Sequence, residues 1–345
     1  MIQKDSLLVT VQCLTYNHEP YIRQCLEGFL MQQTDFYFEV IVHDDASTDG
    51  TANIIREYAE KYPNIIKPIL ETENQWSKND GSLERIMKEH THGKYIALCE
   101  GDDYWIDVYK LQKQVDFLET HEEYGLVHTN CMIAYEKKNF ILEPFQKEGV
   151  PNGNVYKQIL ERNFISTLTV VYRANLLKYA EQEIGNIRYW DRMMWICFSR
   201  YTNFYYLNEN TAVYRVLKES MVHSDRKCLL YKLLLGTNDL LKYFDNIRIP
   251  TEDRHVFLVA RSKELLIWCY FARDWKYADD FYKEIRNNGK VSLRDFILYH
   301  FVIRTHMPLS MYDCFNVMCK KLKQYKLLGF KNCLLYTSPS PRDRG

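Results

Sequence analysis

At 345 residues the chain is long enough for one large domain with an appended segment, and 46% hydrophobic against 26% charged residues excludes wholesale disorder. Its 45 basic and 45 acidic residues cancel, so no net field favours nucleic acid and any charge-selected partner must be recognised locally. The ten cysteines form no CxxC pairs, which excludes the common zinc motifs; buried free thiols in a reducing compartment are the simpler reading.

The opening stretch MIQKDSLLVTVQCL has no basic region followed by a long apolar run and a small-residue cleavage site, so no signal peptide is expected. No run of about 18 apolar residues occurs, so no transmembrane helix is expected either. The expected location is cytoplasmic, with any membrane contact peripheral.

In chain order, Leu7 to Leu14 reads as a buried strand, and Pro20 opens a helix with Ile22, Cys25, Leu26, Phe29 and Leu30 on one face. Tyr37 to His43 is the next strand, followed by a polar loop through Gly50 and a helix carrying Ile54, Ile55, Tyr58 and Ala59 on one side. Ile65 to Leu70 and Tyr95 to Cys99 read as strands, with a helix from Ser82 to His90 between them. This alternation predicts an α/β fold built on a parallel sheet with helices on both faces. A helix to about Thr120 and a strand around Leu126 to Ala134 follow, and there the regular alternation ends. Leu168 to Tyr172 and Ala212 to Val216 read as further strands, with helices at Ala174 to Gln182 and Asp191 to Tyr201. From Arg226 to about Lys326 the pattern is helical. The expected organisation is a catalytic domain over 1–225, a helical segment over 226–332 and, over 333–345, a tail resembling a translated sequencing adapter, which is set aside.

Ligands of open α/β sheets bind beyond the carboxyl ends of the strands, so the loops at Thr15 to Asn17, Asp44 to Asp49 and Glu100 to Asp103 should converge. The second of these lies in HDDASTDG at 43–50. A carboxylate there could accept a hydrogen bond from a uracil imide N–H. Equally, Asp44, Asp45 and Asp49 could simply shape a turn and cap the next helix. The third lies in EGDDYW at 100–105, three acids in four residues at the mouth of a buried strand. Such a cluster is relieved by solvent or by a cation. A hard divalent ion, Mg²⁺ or Mn²⁺, held by Glu100 and Asp102 and shared with a diphosphate would suit it.

Taken together, TYN at 15–17, DDASTDGT at 44–51 and LCEGDDYW at 98–105 resemble the family 2 glycosyltransferases over roughly residues 7–216, the bacterial surface-polysaccharide transferases above all. The resemblance implies a GT-A-like nucleotide-binding sheet followed by an α-helical segment. It also implies a nucleotide diphospho-sugar donor, UDP-linked by analogy at Asp44, and a saccharide or lipid-linked saccharide acceptor. Donor contacts would come from Thr15, Tyr16, Asn17, Asp44, Asp45, Glu100 and Arg215. Glu100 and Asp102 would stand at the acidic positions of the DxD-type metal motif, with Asp103 in support. WDRMMW at 190–195 resembles the family's base motif, which puts Asp191 in the role of general base for inverting transfer; a residue stabilised by the helix dipole is the competing reading. Trp190 and Trp195 suit a core as well as a sugar platform. AVYRV at 212–216 resembles the strand that leads into the active-site loop, but Leu217 stands where relatives often place a His, and His223 is offset from that position.

Other assignments are weaker. The first strand-to-helix turn has no GxGxxG and the chain has no P-loop, against a Rossmann dehydrogenase or an NTPase. A non-catalytic subunit that binds a nucleotide-sugar within a polysaccharide assembly stays open, because of Leu217. Residues 294–304 and 320–326 mix apolar and basic side chains, as membrane-surface helices do, although helices packed on a domain do the same.

Overall fold

A computed structural model describes residues 7–78, 80–135, 141–146, 149–185, 191–217, 226–289, 291–292, 295–296 and 298–303. The chain divides into two compact units. The first takes in the described residues from Leu7 to Leu217 except 160–162, and the second takes in 160–162 and the described residues from Arg226 onward.

In the first unit, nine strands among the described residues form one sheet. They are β1 (Leu7–Thr15), β2 (Tyr37–Asp44), β3 (Ile66–Leu70), β4 (Tyr95–Leu98), β5 (Tyr104–Trp105), β6 (Tyr124–Tyr135), β7 (Ile141–Pro144), β8 (Val171–Arg173) and β9 (Asn203–Val216). Their order is β3-β2-β1-β4-β8-β6-β9-β5, with β7 paired to β6. The first four strands pair in parallel, as the alternation of strands and helices requires. Beyond β4 the sheet is mixed: β8 is antiparallel to both β4 and β6, while β6 and β9 run parallel.

Helices cover both faces of the parallel part. Val9, Val11, Val40, Val42, Tyr95 and Ala97 share a core with Cys25, Leu26 and Phe29 of α1 (Ile22–Leu30), Ile54 and Ile55 of α2 (Thr51–Lys61), and Leu111 and Val115 of a third helix, Lys110–Thr120. On the opposite face Ile41 packs with Leu83 and Met87 of Ser82–Glu89. Adjacent residues of a strand face opposite ways, so Val40 and Ile41 bury different faces, each fully buried apolar side chain contributing about 1.5–3 kcal/mol. In chain order the helices are α1, α2, α3 (Gln75–Lys78), α4 (Ser82–Glu89), α5 (Lys110–Thr120), α6 (Tyr156–Glu161), α7 (Leu177–Glu183) and α8 (Asp191–Ser199).

Two expected strands differ in the structure. Thr167–Thr169 is a 3₁₀ turn, and only Val171–Arg173 is strand, because Ser166 O accepts both the Thr169 N–H (3.0 Å) and its hydroxyl (2.6 Å). Hydroxyl-to-backbone bonding of this kind competes with a sheet ladder. The strand expected from Ala212 reaches back to Asn203, through register shifts against Thr129–Cys131 where the polar Asn208, Glu209 and Asn210 interrupt the apolar pattern.

The second unit contains α9 (Arg226–Asn246), α10 (Thr251–Ala272) and α11 (Ala278–Asn288), and its core gathers Leu230, Leu233, Leu265, Leu266, Cys269, Tyr270 and Ile285. Among the described residues no helix is long and apolar enough to cross a membrane. Residues 320–326, much of 294–304 and the whole of 333–345 lie outside the described residues.

Candidate functional site

Backbone hydrogen bonds lace the carboxyl ends of the four parallel strands together. The Asp45 N–H donates to Thr15 O, the Gly101 N–H to Leu14 O and the Glu71 N–H to Asp44 O, each at 2.9 Å. The three loops singled out in the sequence therefore meet at one edge.

Within the first loop, Asn17 takes a left-handed backbone (φ 54°), which a short polar side chain tolerates. Its N–H donates to Ser47 Oγ and its Oδ1 accepts the Thr48 N–H, both at 2.8 Å, so Asn17 clamps the second loop onto the first. Tyr16 beside it is exposed, whereas Thr15 is buried. In the second loop Asp44 accepts the Ser47 N–H at 3.2 Å and the Ser47 hydroxyl. Asp45 caps α3, accepting the N–H groups of Gln75 (2.6 Å) and Trp76 (3.1 Å), and Asp49 accepts the Thr51 N–H at 2.9 Å at the start of α2. The three carboxylates thus shape turns and cap helices. A carboxylate has about four lone-pair sites, so these bonds leave Asp44 and Asp45 acceptor capacity.

Glu100, Asp102 and Asp103 are all buried, at 6%, 5% and 0% exposure. Gly101 lets this turn sit against the first loop: a Cβ there would lie 2.7 Å from Thr15 Oγ1 and 2.8 Å from Thr15 Cβ, closer than real Cβ contacts come. Beneath the turn the Cys25 thiol donates to Glu100 O at 3.4 Å, and Cys13 Sγ lies 3.9 Å from Cys25 Sγ. Burial pushes the Cys25 thiol up, and Cys99 up to about 12, so these thiols are inert supports rather than nucleophiles.

Arg215 reaches the acidic turn from β9. Its N–H donates to Asp103 Oδ1 at 2.8 Å, and its guanidinium donates to Asp102 O and Gln24 Oε1. The rings of Tyr104 and Tyr21 flank the guanidinium at 4.3 and 5.3 Å. The Asp102 Oδ1 atom is buried with no hydrogen-bond partner among the described residues. Among the described residues no three His, Cys, Asp or Glu side chains converge as metal ligands. The donor set nonetheless fits a hard cation that takes one or two carboxylates and fills its remaining positions with phosphate oxygens and water. An orphaned buried carboxylate oxygen is what such a cation would satisfy.

Asp191 is the first residue of α8 and is buried, and its Oδ2 accepts the Thr167 hydroxyl. Trp195, one turn on, is core, packed edge-on to Tyr172 at 6.4 Å. Leu217 ends the described stretch after β9, and Trp190 and His223 lie outside the described residues. Arg85 donates to Asp80 O at 2.9 Å on the exposed surface.

Several buried titratable groups lie near this edge. Burial lowers the His43 pKa against the opposing pull of Asp45, Glu71 and Asp44, and lowers that of His128 to about 3. Lys110 is wholly buried, its Nζ 2.7 Å from Gln114 Oε1 and 4.3 Å from the centre of the Trp105 ring, and burial lowers its pKa to about 7. Sequence reasoning missed Gln24, Tyr21 and Thr167, the partners of Arg215 and Asp191. Nothing in a helix-borne Gln or a Thr-rich stretch signals such a partnership before the sheet order is known.

A family model described as glycosyl transferase family 2 matches residues 11–176. An uncharacterised protein of Mycobacterium tuberculosis is 40% identical over 167 residues, 48% of this chain and 46% of that one, so the chain spans about half the length of the curated relatives it matches first. TuaG of Bacillus subtilis, named for teichuronic acid biosynthesis as a glycosyltransferase, is 28% identical over 62% of this chain and 81% of its own. Among solved structures, the mannosyltransferase PcManGT of Pyrobaculum calidifontis, in complex with GDP-Man and Mn²⁺, superposes with a TM-score of 0.50 at 19% identity. It covers 82% of this chain and 76% of its own, a likeness of fold. The mixed sheet is GT-A-like in fold.

Proposed function

We propose, from the match of residues 11–176 to a family model described as glycosyl transferase family 2, that this chain moves a sugar from a nucleotide diphospho-sugar to a hydroxyl of a saccharide or lipid-linked saccharide in polysaccharide synthesis. The observation that carries the reading is one edge of one sheet. There Asp102, whose buried Oδ1 has no hydrogen-bond partner among the described residues, is held by Arg215 and shares with Glu100 the turn whose Gly101 lies against the Thr15 loop.

In this reading Tyr16 and the Thr15, Asn17, Asp44 and Asp45 groups bind the nucleotide. A UDP donor is the first to test, because Asp44 or Asp45 can accept a base N–H with the lone pairs their turns leave. Glu100 and Asp102 would hold Mg²⁺ or Mn²⁺, which neutralises charge on the diphosphate. Arg215 adds a fixed positive charge where the leaving group becomes more negative, an interaction stronger in the transition state than in the ground state. Asp191 takes the proton of the acceptor hydroxyl as its oxygen bonds to the anomeric carbon and the bond to the diphosphate breaks on the opposite face, with inversion.

Calorimetric titration with UDP and a panel of UDP-sugars, with Mn²⁺ and with chelator, tests the donor half of this reading. Nucleoside diphosphate release by Asp191→Ala tests the other half. Binding that needs the metal, with Asp191→Ala binding normally but releasing no product, is the expected outcome. A folded protein that binds none of the UDP ligands would overturn the UDP reading.

A further inference from the structure

We infer that Thr167 is the positioning residue for Asp191, its hydroxyl fixing the orientation of the carboxylate that takes the acceptor proton; the inference rests on the general-base reading of Asp191.

The Thr167 hydroxyl donates to Asp191 Oδ2, and both residues are 3% exposed. A buried carboxylate depends on such donors, because a hydrogen bond to the charged form stabilises it where water cannot. The donor itself is rigidly held. Thr167 opens the 3₁₀ turn Thr167–Thr169, which is closed by the Thr169 N–H and hydroxyl on Ser166 O. Leu168 O accepts the Trp105 indole N–H at 2.9 Å, and Thr169 O accepts the Gln114 amide at 2.9 Å. Trp105 belongs to β5, directly after the acidic turn of Asp102 and Asp103, and Gln114 is in turn bonded to Lys110, which lies over Trp105. A continuous buried path therefore runs from the acidic turn through the Trp105 indole and the 3₁₀ turn to the Asp191 carboxylate. Its last link is a side-chain hydroxyl that donates to that carboxylate. The path would keep the base in register with the turn that holds the diphosphate, the geometry an in-line displacement needs.

A bond that merely tied the 3₁₀ turn to α8 would affect stability alone, so the test reads the rate, split into kcat and donor KM. Thr167→Val keeps the shape of the side chain and removes its donor, and Thr167→Ser keeps the donor. Thr167→Ala is a second donor-less variant, and calorimetric binding of UDP with Mn²⁺ verifies the fold of each.

In Thr167→Val the donor to the Asp191 carboxylate is lost. Nucleoside diphosphate release from the UDP-sugar that binds, with water as acceptor, should fall roughly 10- to 100-fold in kcat with the donor KM unchanged. Thr167→Ser should restore the rate. A wild-type kcat in Thr167→Val and Thr167→Ala, with Asp191→Asn inactive, would sink the positioning role. Full turnover by Asp191→Asn would instead overturn the assignment of the base.

Discussion

The backbone N–H of Arg215 donates to Asp103 Oδ1 at 2.8 Å, joining residues 112 apart in the chain. Through this bond the acidic turn after β4 and the end of β9 hold each other, and the Arg215 guanidinium then falls on Asp102 O. In the proposed mechanism Asp103 would thus place the cation that faces the leaving group. Asp103→Ala should strand a buried N–H, at a cost of about 1–3 kcal/mol in urea unfolding, and weaken donor binding. Asp103→Asn keeps an acceptor oxygen and should recover most of the stability. Equal loss in both variants would mean that charge, rather than the hydrogen bond, is what Asp103 supplies.

Asp102 should behave in the opposite way. Its buried Oδ1 has no hydrogen-bond partner among the described residues, and a buried oxygen so placed costs desolvation free energy. Asp102→Asn should leave the unfolding midpoint unchanged or raised while abolishing the Mn²⁺-dependent part of UDP binding in calorimetry, the trade-off expected where stability yields to function. A lowered midpoint together with normal metal-dependent binding would remove Asp102 from the proposed metal site.

Gly101 sets the distance between the acidic turn and the Thr15 loop. A Cβ at this position would overlap Thr15 Oγ1 at 2.7 Å and Thr15 Cβ at 2.8 Å, and the His18 ring nitrogen lies 3.1 Å away. Gly101→Ala must push the two loops apart, costing about 1–3 kcal/mol as overpacking does. Because both loops bind the donor in the proposed function, UDP affinity should fall at least tenfold in the same variant, a loss of about 1.4 kcal/mol. Unchanged affinity would show that the donor does not bridge these loops.

The parallel half of the sheet was legible in the sequence because each strand is short, apolar and followed by a helix with a one-sided stripe. Val40 with Val42, and Ile41 between them, face opposite cores, as that alternation requires. The convergence of the Thr15, Asp44 and Glu100 loops followed from the same pattern. Beyond Thr120 pairing depends on long-range register, and local pattern misleads: Leu168 looks like strand but sits in a 3₁₀ turn fixed by Ser166 and Thr169. The division of labour among the acids was also hidden. Asp44, Asp45 and Asp103 hold backbone or turn groups, whereas Asp102 Oδ1 has no hydrogen-bond partner among the described residues, and only tertiary contacts separate these roles.

Lys110 gives the fold a dependence on pH that can be measured without any ligand. Its ammonium is wholly buried beside Trp105 and Gln114, and burial lowers its pKa from 10.5 to about 7 in the folded state. Between about pH 7 and 10.5 the unfolded chain therefore binds more protons at this residue than the folded one, and stability rises with pH across that window. Below pH 7 the amine is charged in both states, and the folded protein bears the full cost of the buried charge. Urea unfolding of the wild type should give a larger free energy at pH 9.5 than at pH 7, after allowance for other groups by comparison with Lys110→Met. In that variant the Lys110 share of the slope should vanish, whatever the substitution does to absolute stability through the lost bond to Gln114. An identical slope in the two proteins would mean that Lys110 stays charged through this range, relieved by groups other than the Gln114 amide.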